Sequence, residues 1–206
     1  MSTNSSDRLL PRDFKPHMSN AEFALLQKYT PTGTVLEFGA GGSSAFFAER
    51  GVEQLITVEA DREWIHQLIL GSDTLRQWVK KNRWKPIFAD IGKIGEWSRP
   101  VSKVPSIQWL NYHCSVWNYV DIKKVNFVFI DGRFRVACAL QYLLRSVSND
   151  IPVMMHDFWN RECYAEILNF FDVIDKIDTM AVFLKKKRIS WRNLTMCLLK
   201  FQFDPS

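Results

Sequence analysis

Val35-Leu36-Glu37-Phe38-Gly39-Ala40-Gly41-Gly42-Ser43-Ser44 is an apolar run that breaks into glycines and then opens a helix. A short apolar stretch bounded by a turn signal reads as a strand buried on both faces. Gly39 and Gly41 let the backbone turn sharply and approach a ligand that a side chain would block. The helix that follows presents its first-turn N–H groups to whatever sits above the turn. In open α/β sheets this is the place, at the carboxyl ends of the strands, where nucleotide-type ligands bind. A dinucleotide fingerprint would carry a third glycine and an apolar leading residue. Here Ser44 stands at the third position and the acidic Glu37 leads.

Reading outward, the second half of a nucleotide site needs a carboxylate roughly 20 residues beyond the glycines to accept from ribose hydroxyls. Leu55-Ile56-Thr57-Val58-Glu59-Ala60-Asp61 supplies a short strand ending in Glu59, with Asp61 suited to cap the next helix. A third strand, Pro86-Ile87-Phe88-Ala89, ends in Asp90-Ile91-Gly92, and a fourth, Val125-Asn126-Phe127-Val128-Phe129-Ile130, ends in Asp131-Gly132-Arg133. The fifth, Ile151-Pro152-Val153-Met154-Met155, ends in His156-Asp157. Helical patterns alternate with these strands, which predicts βαβ units and a parallel sheet. Phe171 to Ile177 and Met180 to Leu184 then read as an antiparallel hairpin around an Asp178-Thr179 turn.

An acidic residue two places before G-x-G resembles the first motif of the class I S-adenosylmethionine-dependent methyltransferases, and a closing antiparallel hairpin is typical of the same superfamily. The resemblance spans about Ser19 to Lys186. The run Phe129-Ile130-Asp131-Gly132-Arg133-Phe134-Arg135-Val136 is similar to a small bacterial-type subgroup of it. The resemblance implies an α/β fold: a doubly wound, mostly parallel seven-stranded sheet with an antiparallel C-terminal hairpin and helices on both faces. It also implies S-adenosyl-L-methionine as cofactor. Glu37 would face the cationic amino-acid end, with Phe38, Gly39, Gly41 and Ser43 forming the turn around it. Glu59 and Ala60 would serve the ribose, Asp90 and Ile91 the adenine, and Asp131 the neighbourhood of the sulfur. The expected reaction is O-methylation of a small-molecule or carbohydrate-type acceptor, with His156 as the first candidate base and Asp131 as the second.

The connection from residue 91 to 124 is long for a compact domain, and such loops usually carry function or extra elements. It holds Trp97, Trp109, Tyr112, His113, Trp117 and Tyr119. Aromatic rings with polar tips suit sugars and flat polar groups, so Trp97, Tyr112, His113 and Trp117 are candidate acceptor contacts, joined by Arg133 and Asp157. Arg133, Arg135 and Arg161 either clamp an anionic group of the substrate or neutralise Asp131 and Asp157. Some O-methyltransferases of this fold hold Mg²⁺ with acids after the fourth and fifth strands. Here Phe158 stands where a third ligand is expected and Arg133 adds positive charge, so no metal is expected. The I-D-G-R end of the fourth strand is unlike the N-P-P-Y type associated with base methylation, which disfavours a nucleic-acid substrate.

With 206 residues, 47% hydrophobic content, 15 Phe and 8 Trp, the chain has material for one domain with a substantial core. Residues 1–11 read as a mobile polar tail, 12–206 as the domain and 187–206 as a C-terminal tail. That tail is apolar enough to pack on the domain or to form a contact between copies of the chain. Four widely spaced cysteines, with no export signal and no apolar run near the ~20 residues needed to span a bilayer, predict a cytoplasmic location. The net charge of +5 is concentrated in Lys80 to Lys85 and Lys185 to Arg188, which read as solvated edges of the sheet. Two other readings remain: a domain of this fold that binds cofactor or a partner without turnover, and a nicotinamide-dependent oxidoreductase. Glu37, Ser44 and the closing hairpin argue against the oxidoreductase.

Overall fold

The computed structural model describes residues 14–206; the tail expected over residues 1–11 lies outside the described residues. The chain enters through α1 (Asn20–Tyr29), whose start is fixed by a capping box. Ser19 Oγ accepts from Glu22 N at 3.1 Å, and Glu22 Oε2 accepts from Ser19 N at 2.9 Å. Next come β1 (Thr34–Phe38), α2 (Gly42–Arg50), β2 (Gln54–Glu59), α3 (Arg62–Gly71), α4 (Asp73–Lys80) and β3 (Trp84–Phe88). The second half holds α5 (Leu110–Cys114), β4 (Val125–Ile130), α6 (Arg135–Arg145), β5 (Val153–Met155), β6 (Phe171–Ile177), β7 (Met180–Lys185) and α7 (Trp191–Phe201).

The strands form one sheet in the order β3-β2-β1-β4-β5-β7-β6. The first five are parallel, and β7 inserts antiparallel between β5 and β6. Alternate side chains feed two cores because strand residues point to opposite faces in turn. Leu36, Phe38, Val58, Val128 and Ile130 pack on one face with residues of α5, α6 and α7. Val35, Leu55, Phe127, Phe129 and Met154 pack on the other with residues of α1, α2 and α4. Every residue of β1 is buried, as a strand covered on both faces requires.

Three details differ from the sequence reading or resolve its alternatives. β5 spans only Val153–Met155, since Pro152 has no N–H to offer a ladder, although its carbonyl accepts from Val128 N at 3.0 Å. The 91–124 connection packs into the main core: Trp109, Tyr112 and Val116 are buried with Phe134. The C-terminal tail forms α7 and packs on the domain through Leu194, Cys197, Leu198 and Phe201. Among the described residues, all four cysteines are free and no helix is long and apolar enough to cross a membrane.

Candidate functional site

The turn between β1 and α2 sits over a buried polar network. Glu37 accepts from Ser43 Oγ (2.6 Å), Ser44 Oγ (2.6 Å) and Thr57 Oγ1 (2.7 Å). Ser44 Oγ in turn accepts from Gly41 N at 3.1 Å, and Thr57 Oγ1 from Trp84 Nε1 at 2.9 Å. One carboxyl therefore ties together β1, β2, β3 and the first turn of α2. Gly39 has φ +100° and packs backbone to backbone against Gly132 at the end of β4. Gly42 lies so close to the Lys15–Pro16 backbone that a Cβ there would approach to 2.2 Å. The N–H groups of Gly39, Ala40 and Gly41 are all satisfied within the protein, by Val58 O, Glu59 Oε2 and Ser44 Oγ.

Glu59 ends β2 and faces the same space. Its Oε1 accepts from Ala60 N (2.7 Å), Asp61 N (3.0 Å) and Ser98 Oγ (2.7 Å), and its Oε2 from Ala40 N (3.0 Å). Burial raises its pKa, and these donors restrain the rise. Ser98 arrives from the 91–124 connection, where Trp97 and Ser98 both adopt positive φ, at 57° and 56°. Their turn, with His17 against the Trp97 ring at 5.7 Å, forms one wall of the space.

At the ends of β4 and β5 lies a second charged network. Asp131 Oδ1 meets His156 Nδ1 at 2.9 Å and Arg135 Nη2 at 3.3 Å. His156 Nε2 meets Glu22 Oε2 at 3.3 Å, so both ring nitrogens face carboxylates. Asp157, at φ +55°, pairs with Arg135 (3.1 Å) and Arg161 (3.3 Å). Asp131, His156 and Asp157 each bring a ligand atom within 4.8 Å of the others, the composition of a metal site. Arg135 already pairs with both carboxylates, which opposes a cation there.

The two buried acid–base groups give opposite chemistry but the same sign of pH dependence. Burial pushes the Glu37 carboxyl up from 4.5 to about 7, against the pull of its three hydroxyl donors. Its folded form holds the proton more tightly than the unfolded chain, so its contribution falls as pH rises from 4.5 to about 7. For His156, burial lowers the pKa but Asp131, Asp157 and Glu22 more than offset this, and the net shift is upward from 6.5. Its contribution is complete below pH 6.5 and is lost as pH rises through the raised value. Urea unfolding as a function of pH is expected to show a flatter profile below about 7 for Glu37→Gln and above 6.5 for His156→Gln. Profiles parallel to wild type would contradict both assignments.

A single cavity of about 810 Å³ joins the two networks. It runs from Phe14–His17 and the Gly39–Ser43 turn, past Glu59, Trp97, Ser98 and Tyr112, to Asp131, Arg133, His156, Asp157 and Arg161. No protein-family model matches this chain, and no curated protein matches its sequence. Solved structures do match. A methyltransferase-like protein of Silicibacter pomeroyi is 25% identical, with TM-score 0.77 over 93% of this chain and 98% of that one. The fibrillarin pre-rRNA processing protein of Methanococcus jannaschii (15%, TM-score 0.51) covers 76% of this chain and 67% of its own. The Bacillus cereus O-methyltransferase, solved with SAH (12%, TM-score 0.50), covers 83% and 84%. The chain has the class I methyltransferase fold.

Within this methyltransferase fold the cavity gathers Gly39, Gly41, Ser43, Glu59, Trp97, Tyr112, Asp131, Arg133, His156 and Asp157. It does not gather the rest of the residues expected there. Glu37 and Phe38 lie beneath the turn, fully buried, and Ala60 is buried behind Glu59. Asp90 is outside the lining because its carboxylate closes a local turn on Gly92 N at 2.9 Å, while Ile91 enters the core. His113 points away: its Nε2 lies 3.0 Å from Gln202 O at the end of α7, and burial lowers its pKa to about 4. Trp117 donates to His113 O at 2.7 Å and lies under Arg145.

The sequence reading missed several cavity residues of the methyltransferase fold. Phe14 to His17 carry no motif. Trp64 and Ser98 reach the site through tertiary contacts, Trp64 Nε1 donating to Ala40 O at 2.8 Å. Behind the cavity lining, Glu22 had a usable signal, the Ser19-x-x-Glu22 capping box, but nothing local connects it to His156.

Proposed function

We propose that this chain is an S-adenosylmethionine-dependent methyltransferase that methylates an oxygen of a small polar or carbohydrate-type acceptor. What carries the reading is one cavity with a hydroxyl-accepting carboxylate at one end and a half-paired carboxylate at the other. The cofactor fits the residues present. Glu59 already accepts from a hydroxyl, that of Ser98, and its Oε2 has only one partner. Glu59 would hold the ribose, and the Gly39–Ser43 turn would lie along the amino-acid portion, held in shape by Glu37 from below. Bound there, the cofactor supplies a methyl group already activated on a sulfonium, so positioning is the main demand on the protein.

The acceptor's proton needs a base. Asp131 suits this role better than His156. The His156 and Arg135 contacts of the Asp131 carboxylate both fall on Oδ1, whereas both ring nitrogens of His156 are engaged by carboxylates. His156 and Arg135 then orient the Asp131 carboxylate through Oδ1. The cavity's size lies within the ~300–1,000 Å³ common for small-molecule sites.

Isothermal titration with S-adenosylmethionine and S-adenosylhomocysteine tests the reading, and micromolar binding of both is the expected result. A folded sample that binds neither would overturn it and redirect attention to nicotinamides.

A further inference from the structure

We propose that the cavity contains an anion subsite centred on the Arg133 guanidinium, which anchors a carboxylate or phosphate group of the methyl acceptor. The proposal rests on the methyltransferase reading above. Arg133 lines the cavity and is only 7% exposed, yet its Nε and Nη1 are buried without a hydrogen-bond partner among the described residues. A buried, unpaired guanidinium is costly, because it gives up water without a replacement.

The surrounding charges sharpen the point. Arg135 is engaged at all three nitrogens: Nε donates to Gly132 O at 3.0 Å, and the other two contact Asp131, Asp157 and His156 O. Arg161 pairs with Asp157. The acids at the ends of β4 and β5 are thus already matched by Arg135, Arg161 and His156, and Arg133 is left over. Burial lowers its pKa, and the neighbouring cations Arg135 and Arg99 add to this, while Tyr112 and Tyr164 pull it the other way. An oxyanion would offset this repulsion through a charge-assisted contact with the guanidinium.

The position in the sheet separates this subsite from the ribose carboxylate. Glu59 ends β2 and Arg133 follows β4, with β1 between them, which is two strand spacings or ~10 Å. Asp131 is two residues before Arg133, so an acceptor anchored by its anion would lie beside the proposed base.

The test uses the full chain saturated with S-adenosylhomocysteine, with inorganic phosphate and acetate as probes against chloride at equal ionic strength. Wild type is expected to melt higher in one of the two probes. A rise in phosphate identifies a phosphate-bearing acceptor, and a rise in acetate a carboxylate. Arg133→Gln and Arg133→Met should abolish the rise and melt at or above wild type without probe, since an unpaired buried charge has been removed. Their affinity for S-adenosylhomocysteine should stay within roughly twofold of wild type. No probe-specific rise in wild type would overturn the subsite. A loss of about tenfold or more in cofactor affinity in both variants would also overturn it, assigning the guanidinium to the cofactor's own carboxylate. Wild type that fails to bind S-adenosylhomocysteine would instead remove the underlying methyltransferase reading, and the acceptor assignment with it.

Discussion

Gly39→Ala is expected to destabilise the fold by about 3 kcal/mol or more, through two effects that act together. The residue sits at φ +100°, outside the region that an L side chain readily adopts. A Cβ would also meet the Cα and N of Gly132 at 2.7 Å, and these are backbone atoms at the end of a central strand that cannot swing aside. Relief requires β1 and β4 to separate where the cavity is built. For a chain of this size the melting temperature should fall by roughly 10 °C, with cofactor affinity falling alongside. Gly41→Ala is the control. Its Cβ would meet nothing within 4 Å, so its melting should stay within about 0.5 kcal/mol of wild type. Equal melting of both variants would show that the β1–β4 contact is not a constraint.

Glu59→Gln should weaken S-adenosylhomocysteine binding by about 1.5–3 kcal/mol, roughly tenfold to a hundredfold, the usual worth of a hydrogen bond to a charged group. The substitution keeps volume and one acceptor oxygen, which can still serve Ala60 N, Asp61 N and Ser98 Oγ. It puts an NH₂ where Oε2 now accepts from Ala40 N at 3.0 Å, so donor faces donor and the vacant acceptor position disappears. Titration calorimetry reads the loss directly. Unchanged affinity would limit Glu59 to closing the β1–α2 turn and place the ribose elsewhere.

How much of this was legible beforehand follows from the range of each interaction. The strands, the glycine turn and the closing hairpin were readable because apolar runs and turn residues act over a few positions. Glu59 was readable for the same reason: a strand end fixes where its terminal side chain points. Asp90 also ends a strand, yet it turns onto Gly92, because an Asp followed two residues later by a glycine satisfies itself locally. His113 illustrates the opposite failure. Its aromatic, polar-tipped neighbourhood suggested a pocket wall, but its ring is pinned by Gln202, 89 positions away.

The charged groups divide in the same way. Arg133, Arg135 and Arg161 could each clamp an anion or neutralise an acid as far as the sequence goes, and only Arg133 was placed among the acceptor contacts. Only the folded chain shows that Arg135 and Arg161 neutralise Asp131 and Asp157, while Nε and Nη1 of Arg133 have no hydrogen-bond partner among the described residues. Glu22 reaching His156 across 134 positions, and Ser98 reaching Glu59 across 39, are likewise invisible until the elements pack. The sequence by itself determined the sheet, its glycine turn and the edge at which polar residues collect, since strand periodicity and turn chemistry are local properties. The tertiary structure decided which of those polar groups pair with one another and which remain open, because pairing depends on distances between segments that local preferences do not set.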